Sequence, residues 1–252
     1  MDALATPEEA PPRTARTART TVGAAAAVIA DIVGSRRLPD RAGAQTAILD
    51  TLVRAGDGLD VRRAPWATVG DEFQVVLGTR EDAVVYTARV HVLLPPGLGL
   101  RFGIGWGDAR ALPATAHDGA ALEDGSAWWS AREAIERAHE LQDAGDPSAR
   151  TWLAASADDP STAATNALLL VRDHVIARMK ARERRIAAGL LMGRTQLDLA
   201  AEEGVGQSAV SQSAHRSGAA ELLQVQRMLL DSRADAGAPT RAPDPSSGEP
   251  PR

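Results

Sequence analysis

A chain of 252 residues without cysteine is long enough to bury a sizeable core. It can build neither a disulfide framework nor a thiolate metal site, so a reducing, cytoplasmic setting is the expectation. A net charge of −5 excludes wholesale electrostatic attraction to nucleic acid, and no apolar run approaches the roughly 20 residues of a membrane span.

Residues 1–22 carry Arg, Thr and Pro without an apolar stretch and read as a disordered tail. Ala24 to Asp31 reads as a strand of the buried type, in which Val28, Ile29 and Ala30 deliver Asp31 to its end, before a Gly34-Ser35 turn and the pair Arg36, Arg37. Pro39-Asp40 starts a helix to about Ala55, with Ala44, Ile48, Leu52 and Ala55 on one face and Gly56-Asp57-Gly58 as its stop. Val61 to Val69 and Phe73 to Leu77 form a hairpin about Gly70-Asp71. Pro65 inside its first strand demands a bulge or an edge position.

Thr79 caps a helix running to about Leu93, and Asp82 three residues on approximates a capping box. In the next strand Leu98, Leu100, Phe102, Ile104 and Trp106 alternate with Gly99, Arg101, Gly103 and Gly105. One face therefore packs on helices, while the glycine face leaves room for a ligand or another backbone. The order β-α-β-β-α-β is the ferredoxin-like pattern.

Residues 108–124 read as a loop, after which Asp124 or Ser126 caps a helix with Trp128, Ala131, Ile135 and Ala138 on one stripe. Trp106, Trp128 and Trp129 read as core and interface residues. The sheet domain is expected over 23–150 and a connector over 151–165, with Trp152-Leu153 docking on the sheet domain. From Asn166 the pattern is helical: Leu168, Val171, Val175 and Met179 make one stripe, and Ile186, Leu190 and Leu191 a second helix ending at Gly193.

Thr195 opens a segment in which a small Ala200 is followed four residues later by Gly204 and six further on by Val210. This is the spacing of a helix-turn-helix: the small residue lets two helices approach, the glycine takes the turn and the valine plugs the core. Gln207, Ser208, Ser211, Gln212, His215 and Arg216 then face a major groove of duplex DNA. Arg178, Lys180, Arg182, Arg184 and Arg185 lie just upstream to meet phosphates. One short recognition helix reads few base pairs, so a homodimer is expected. The helix-turn-helix domain spans 166–232 and a second disordered tail 233–252, giving an α+β chain: a ferredoxin-like βαββαβ domain, then an all-α domain.

Asp31 and Asp71 are the candidate metal ligands, because magnesium and manganese favour carboxylate oxygens and complete their shell with phosphate and water. Glu72 is either a third ligand or the solvated partner of Arg36 or Arg37. Gly34, Ser35, Arg36, Arg37 and Gly70 belong to the two turns that would meet a phosphate. His117, His139 and His174 show no metal-ligand spacing. Arginine abundance itself says little, since Lys180 is the only lysine and Asn166 the only asparagine, a bias that GC-rich codons produce.

The run ADIVGS followed by GDE resembles the metal-binding signature of class III nucleotide cyclases and, more loosely, of GGDEF-type cyclases, whose palms carry paired aspartates on the first strand and the following hairpin. By that resemblance Arg132 matches an arginine that works on a triphosphate; its other reading is an ion pair to Asp31 or Asp71. Trp128 stands where those enzymes have an asparagine, and Ala67 where the purine-selecting ones have a lysine. The whole chain, from ADIVGS to the helix-turn-helix, is similar to the SatD family of bacterial proteins. The leading expectation is a DNA-binding regulator that senses a metal-bound nucleotide or related phosphate. A divergent nucleotidyl cyclase or nucleotidyltransferase and a non-catalytic dimerising adaptor are the rivals.

Overall fold

The structure, a computed structural model, describes residues 23–68, 70–111, 123–155 and 159–237. The expected tail 1–22, residues 238–252 of the second tail, His117, Val69 and most of the 108–124 loop lie outside these residues.

The chain runs β1 (Ala24–Ile32), a single 3-10 turn (Ser35–Arg37), α1 (Arg41–Ala55), β2 (Val61–Ala67), β3 (Glu72–Leu77), α2 (Arg80–Leu93) and β4 (Leu100–Asp108). Two short strands, β5 (Arg110–Ala111) and β6 (Glu123–Asp124), pair with each other before α3 (Ser126–Asp143) and β7 (Thr151–Ala155). Five helices close the chain: α4 (Ser161–Ala177), α5 (Ala181–Leu191), α6 (Gln196–Glu203), α7 (Gln207–Ser217) and α8 (Ala219–Gly237). Asp40 and Thr79 cap α1 and α2 by accepting from the N–H groups of Gly43 and Asp82, satisfying donors that a helix start leaves free. The cap of α3 is Gly125, not Asp124 or Ser126; the Ser126 hydroxyl accepts instead from the Asp108 N–H at 3.0 Å.

The main sheet has the order β2-β3-β1-β4-β7. β1 is antiparallel to β3 and β4, β2 is antiparallel to β3, and β7 is parallel to β4. The β1-α1-β2 and β3-α2-β4 units thus interleave. Pro65 sits in the edge strand β2 within the register shift between Arg63 and Trp66, where a missing N–H costs least. Thr151–Ala155, expected in a connector, is instead the opposite edge strand. Its Leu153 is fully buried in the main core.

The two faces of the sheet are packed by different means. Even residues of β1 (Ala26, Val28, Ala30, Ile32) meet Ile48 and Leu52 of α1, Tyr86 and Val90 of α2, and Phe73 and Phe102, in the largest core. On the other face Ala27 and Ile29 meet Ala127, Ala131 and Ile135 of α3. The room left by the β4 glycines is filled by that helix, not by a ligand. A Cβ on Gly105 would lie 1.9 Å from the Ala127 carbonyl, and one on Gly103 2.2 Å from that of Ala131.

Helix α2 is buried from Asp82 to Val92 on every side, as a helix at the centre of a molecule must be. Its outer side carries α4, α5 and α8. The most buried stripe of α4 is offset from the expected apolar one: Leu168, Val175 and Met179 are partly buried against the cores and Val171 is 64 % exposed, whereas Asn166, Leu169, Arg172, Asp173 and Ile176 are buried. Inward polar groups are tolerated because each is bonded. The Asn166 amide accepts from the Leu153 N–H at 2.8 Å and donates to the Leu153 carbonyl at 2.9 Å, which closes backbone groups on the β7 edge. Helix α8 continues through Gly237, past the expected start of the tail, and Arg233 on it pairs with the buried Asp82. Among the described residues no helix is long and apolar enough to cross a membrane.

Candidate functional site

Register brings Glu72 of β3, Asp31 of β1 and Arg101 of β4 into one row across the α3 face, at the end of the sheet. Arg101 donates through Nη1 to Asp31 Oδ2 at 2.7 Å, and through Nε and Nη2 to Gln142 Oε1 of α3 at 2.8 and 2.6 Å. Arg132, one helical turn beyond Trp128, makes a two-pronged pair with Glu72, at 2.6 and 3.2 Å. Gln74 donates to the same Glu72 at 2.8 Å. The partner of Glu72 is therefore Arg132 rather than Arg36 or Arg37, both of which are exposed.

Asp31 is the unfinished member of this row. Its Oδ1 is buried and has no hydrogen-bond partner among the described residues. Burial pushes its carboxyl above the ordinary range; Arg101 opposes that shift, His139 adds a smaller opposing pull, and Asp71 adds a small repulsion. Asp71 itself is half-buried in the hairpin turn, beside Gly70 with φ 93°. The Gly70 carbonyl accepts from Gln45 Nε2 of α1 at 2.8 Å. Gly34, at φ 70°, turns the chain out of β1 into Ser35, and the Arg37 guanidinium lies close over it.

Three or more acidic or histidine side chains converge nowhere among the described residues, so an all-protein metal cage is not present there. The orphaned Asp31 Oδ1 with the neighbouring Asp71 does fit a site of two carboxylates, the number magnesium usually takes beside phosphate and water. Sequence reading missed Arg101 and Gln142. The signal available was an arginine alternating with glycines on the face opposite Leu100 and Phe102.

Trp128 meets Trp66 of β2 edge to face, centroids 5.9 Å apart, with Arg63 3.8 Å over the Trp66 ring. The Trp128 Nε1 is buried and unbonded among the described residues. Trp129, expected in the core or an interface, is 75 % exposed.

In the C-terminal helices, Thr195 and Asp198 form a reciprocal capping box at α6. Gly204 ends α6 at φ 63°, a left-handed position that favours glycine. Ala200 and Val210 are buried between α6 and α7. Gln207, Ser208, Gln212, His215 and Arg216 are exposed on α7, and Ser211 is half-buried. Arg182 and Arg185 both pair with Glu203, at 3.4 and 2.7 Å. Arg184 is turned away, toward carbonyls at the end of α2.

These features define an α+β protein: a five-stranded mixed sheet with helices on both faces, carrying a helical C-terminal unit on its central helix. The SatD family model matches residues 25–224, and the chain belongs to the SatD family. A search of curated proteins returns no match.

Proposed function

We propose that this chain is a duplex-DNA-binding regulator, acting as a homodimer in the cytoplasm, whose sheet domain is a ferredoxin-like, cyclase-related palm that senses a phosphate ligand, with a nucleotide as the leading candidate. The observation that carries the DNA part is the turn at Gly204 between buried Ala200 and Val210. It supports a helix-turn-helix reading of α6 and α7 because the apolar side of α7 is spent on packing, while Gln207, Ser208 and Gln212 are left in solvent. Arg182 and Arg185 keep more than half of their side-chain surface exposed despite Glu203, so each has donors left for a phosphate.

For the sensing part, Asp31 and Asp71 hold magnesium or manganese, and Arg132, now on Glu72, swings to the ligand phosphate. A cation held there would supply the positive charge that lets phosphate oxygens sit beside the two carboxylates. Trp128 is engaged with Trp66 and offers no side-chain carbonyl, which supports sensing over turnover.

Selection of the full-length protein against random duplexes tests the DNA reading. Gln207→Ala and Gln212→Ala are expected to change the selected sequence, whereas Arg182→Ala and Arg185→Ala weaken all sequences and each lower the salt slope by about one. Binding equally weak for every duplex and indifferent to both glutamines overturns it and leaves the dimerising adaptor. A rise in melting temperature with magnesium and ATP, lost in Asp71→Asn, tests the sensing half; no shift with any divalent metal and nucleotide overturns that half.

A further inference from the structure

A second polar centre lies where the sheet meets the helical unit. A cavity of about 230 Å³ is lined by His91 of α2, Gly99 and Leu100 at the start of β4, Arg150 before β7, Asp173 and Ile176 of α4, and Arg184 of α5, among others. The buried Arg172 adjoins it, paired with Asp173. Three guanidiniums thus stand against one carboxylate.

His91 does not add to the charge. Burial, followed by weaker repulsion from Arg172, Arg184 and Arg150, outweighs Asp173 and pushes its imidazole down to about 3, so it is neutral at physiological pH. Most of the acceptor capacity of Asp173 is already spent, because Oδ1 takes Nε and Nη2 of Arg172 and Oδ2 takes the Arg150 N–H. The Arg172 head is likewise fully used, on Asp173, the Val84 carbonyl, Thr87 and Thr151.

Arg150 and Arg184 differ from Arg172 in this respect. Arg150 donates only through Nε, to the Pro147 carbonyl at 3.0 Å. Arg184 uses Nε and Nη2 on the carbonyls of Val92 and His91. Neither has a carboxylate within ion-pair distance among the described residues, and both Arg150 Nη atoms and Arg184 Nη1 have no hydrogen-bond partner there. A Cβ on Gly99 would come within 3.2 Å of Arg150 Nη1, so the glycine leaves the space this head occupies. Half-buried guanidiniums with no directly paired carboxylate are costly; burial lowers the proton affinity of both, and at Arg150 the charge of Arg101 adds to that shift while Asp173 and Asp31 only partly oppose it.

We infer that this cavity is an anion site, in which a phosphate group seats between Arg150 and Arg184 and ties the sheet to the helical unit. A guanidinium fork suits phosphate oxygens, and two arginines with free donors line this one cavity. The cavity accommodates inorganic phosphate or the phosphate end of a small metabolite rather than a whole nucleoside triphosphate. This site shares no side chain with the Asp31 row, although Arg101 and Asp31 reach Arg150 through their charge, and it stands whether or not that row binds a cation.

Titration calorimetry of the full-length protein at fixed ionic strength, with inorganic phosphate in one arm and glycerol 3-phosphate in the other, tests it and tells which source is preferred. Heat is expected in at least one arm, weakened about tenfold or more by Arg150→Met and by Arg184→Met, and retained in Asp31→Asn. If either methionine variant fails to fold, Arg150→Lys or Arg184→Lys takes its place. These keep the charge but not the fork, and the expected loss is smaller. An arginine used only to cap the α2 carbonyls would lower the melting temperature of Arg184→Met by the same amount with and without phosphate. That result, phosphate heat unaltered in both arginine variants, or no heat in either arm overturns the assignment.

Discussion

Asp173 and Asp31 each accept a guanidinium Nη at 2.7 Å, from Arg172 and Arg101, yet the two pairs sit in opposite circumstances. The Asp173 side chain is 1 % exposed, both its oxygens are bonded, and its partner spends every donor on α2, β7 and Asp173 itself. Asp31 is 32 % exposed, has one buried oxygen with no partner among the described residues, and holds its proton more tightly than an ordinary carboxyl. A completed network joins parts of a molecule because any change leaves a charge stranded. An incomplete one at the sheet end is where a ligand has something to add.

Arg172→Met is expected to show the largest effect, about 3–5 kcal/mol in urea unfolding, because it strands Asp173 without water to replace the guanidinium. A loss under 1 kcal/mol would erase the distinction between the two pairs. Arg101→Met should cost less, about 2 kcal/mol, although Arg101 is itself buried. Asp31 is open enough to take a proton or a water in place of its partner.

Asp31→Asn sharpens the contrast through pH. Folding favours the protonated Asp31, so that contribution is fully present below the unfolded carboxyl pKa and is lost as pH rises through the higher folded value. The stability of the wild type relative to Asp31→Asn should therefore fall across that window. At neutral pH the two should lie within about 1 kcal/mol, because an asparagine oxygen still accepts from Arg101. Urea unfolding at a series of pH values measures both. The smallest effect belongs to Arg132→Ala: its guanidinium is half-exposed, and a pair of that kind contributes about 0–1 kcal/mol. Thermal melts should barely move without nucleotide, while any metal-nucleotide shift shrinks.

Local signals carried much of the architecture. Spacing alone placed the α1 face of Ala44, Ile48, Leu52 and Ala55, the caps at Asp40 and Thr79, and the buried trio of Leu100, Phe102 and Ile104. The turn at Gly204 was legible because few residues other than glycine take a left-handed backbone readily. Asp31 and its hairpin neighbours were legible as candidates because each follows a strand into a turn.

What tertiary structure decided was the use to which faces were put. Apolar periodicity on α4 pointed to Val171, but Asn166, Arg172 and Asp173 turn inward, since β7 and α2 present backbone and hydroxyl groups that only polar side chains can satisfy. The β4 glycines were consistent with a ligand or a backbone, and the approach of α3 settled on backbone. Likewise Arg101 and Gln142, 41 residues apart in the chain, complete the Asp31 row only when α3 lies across β4. Periodicity records which side of an element is apolar. It does not record which neighbour covers that side, and hydrogen-bond satisfaction between distant segments overrides it wherever a polar group would otherwise be buried alone.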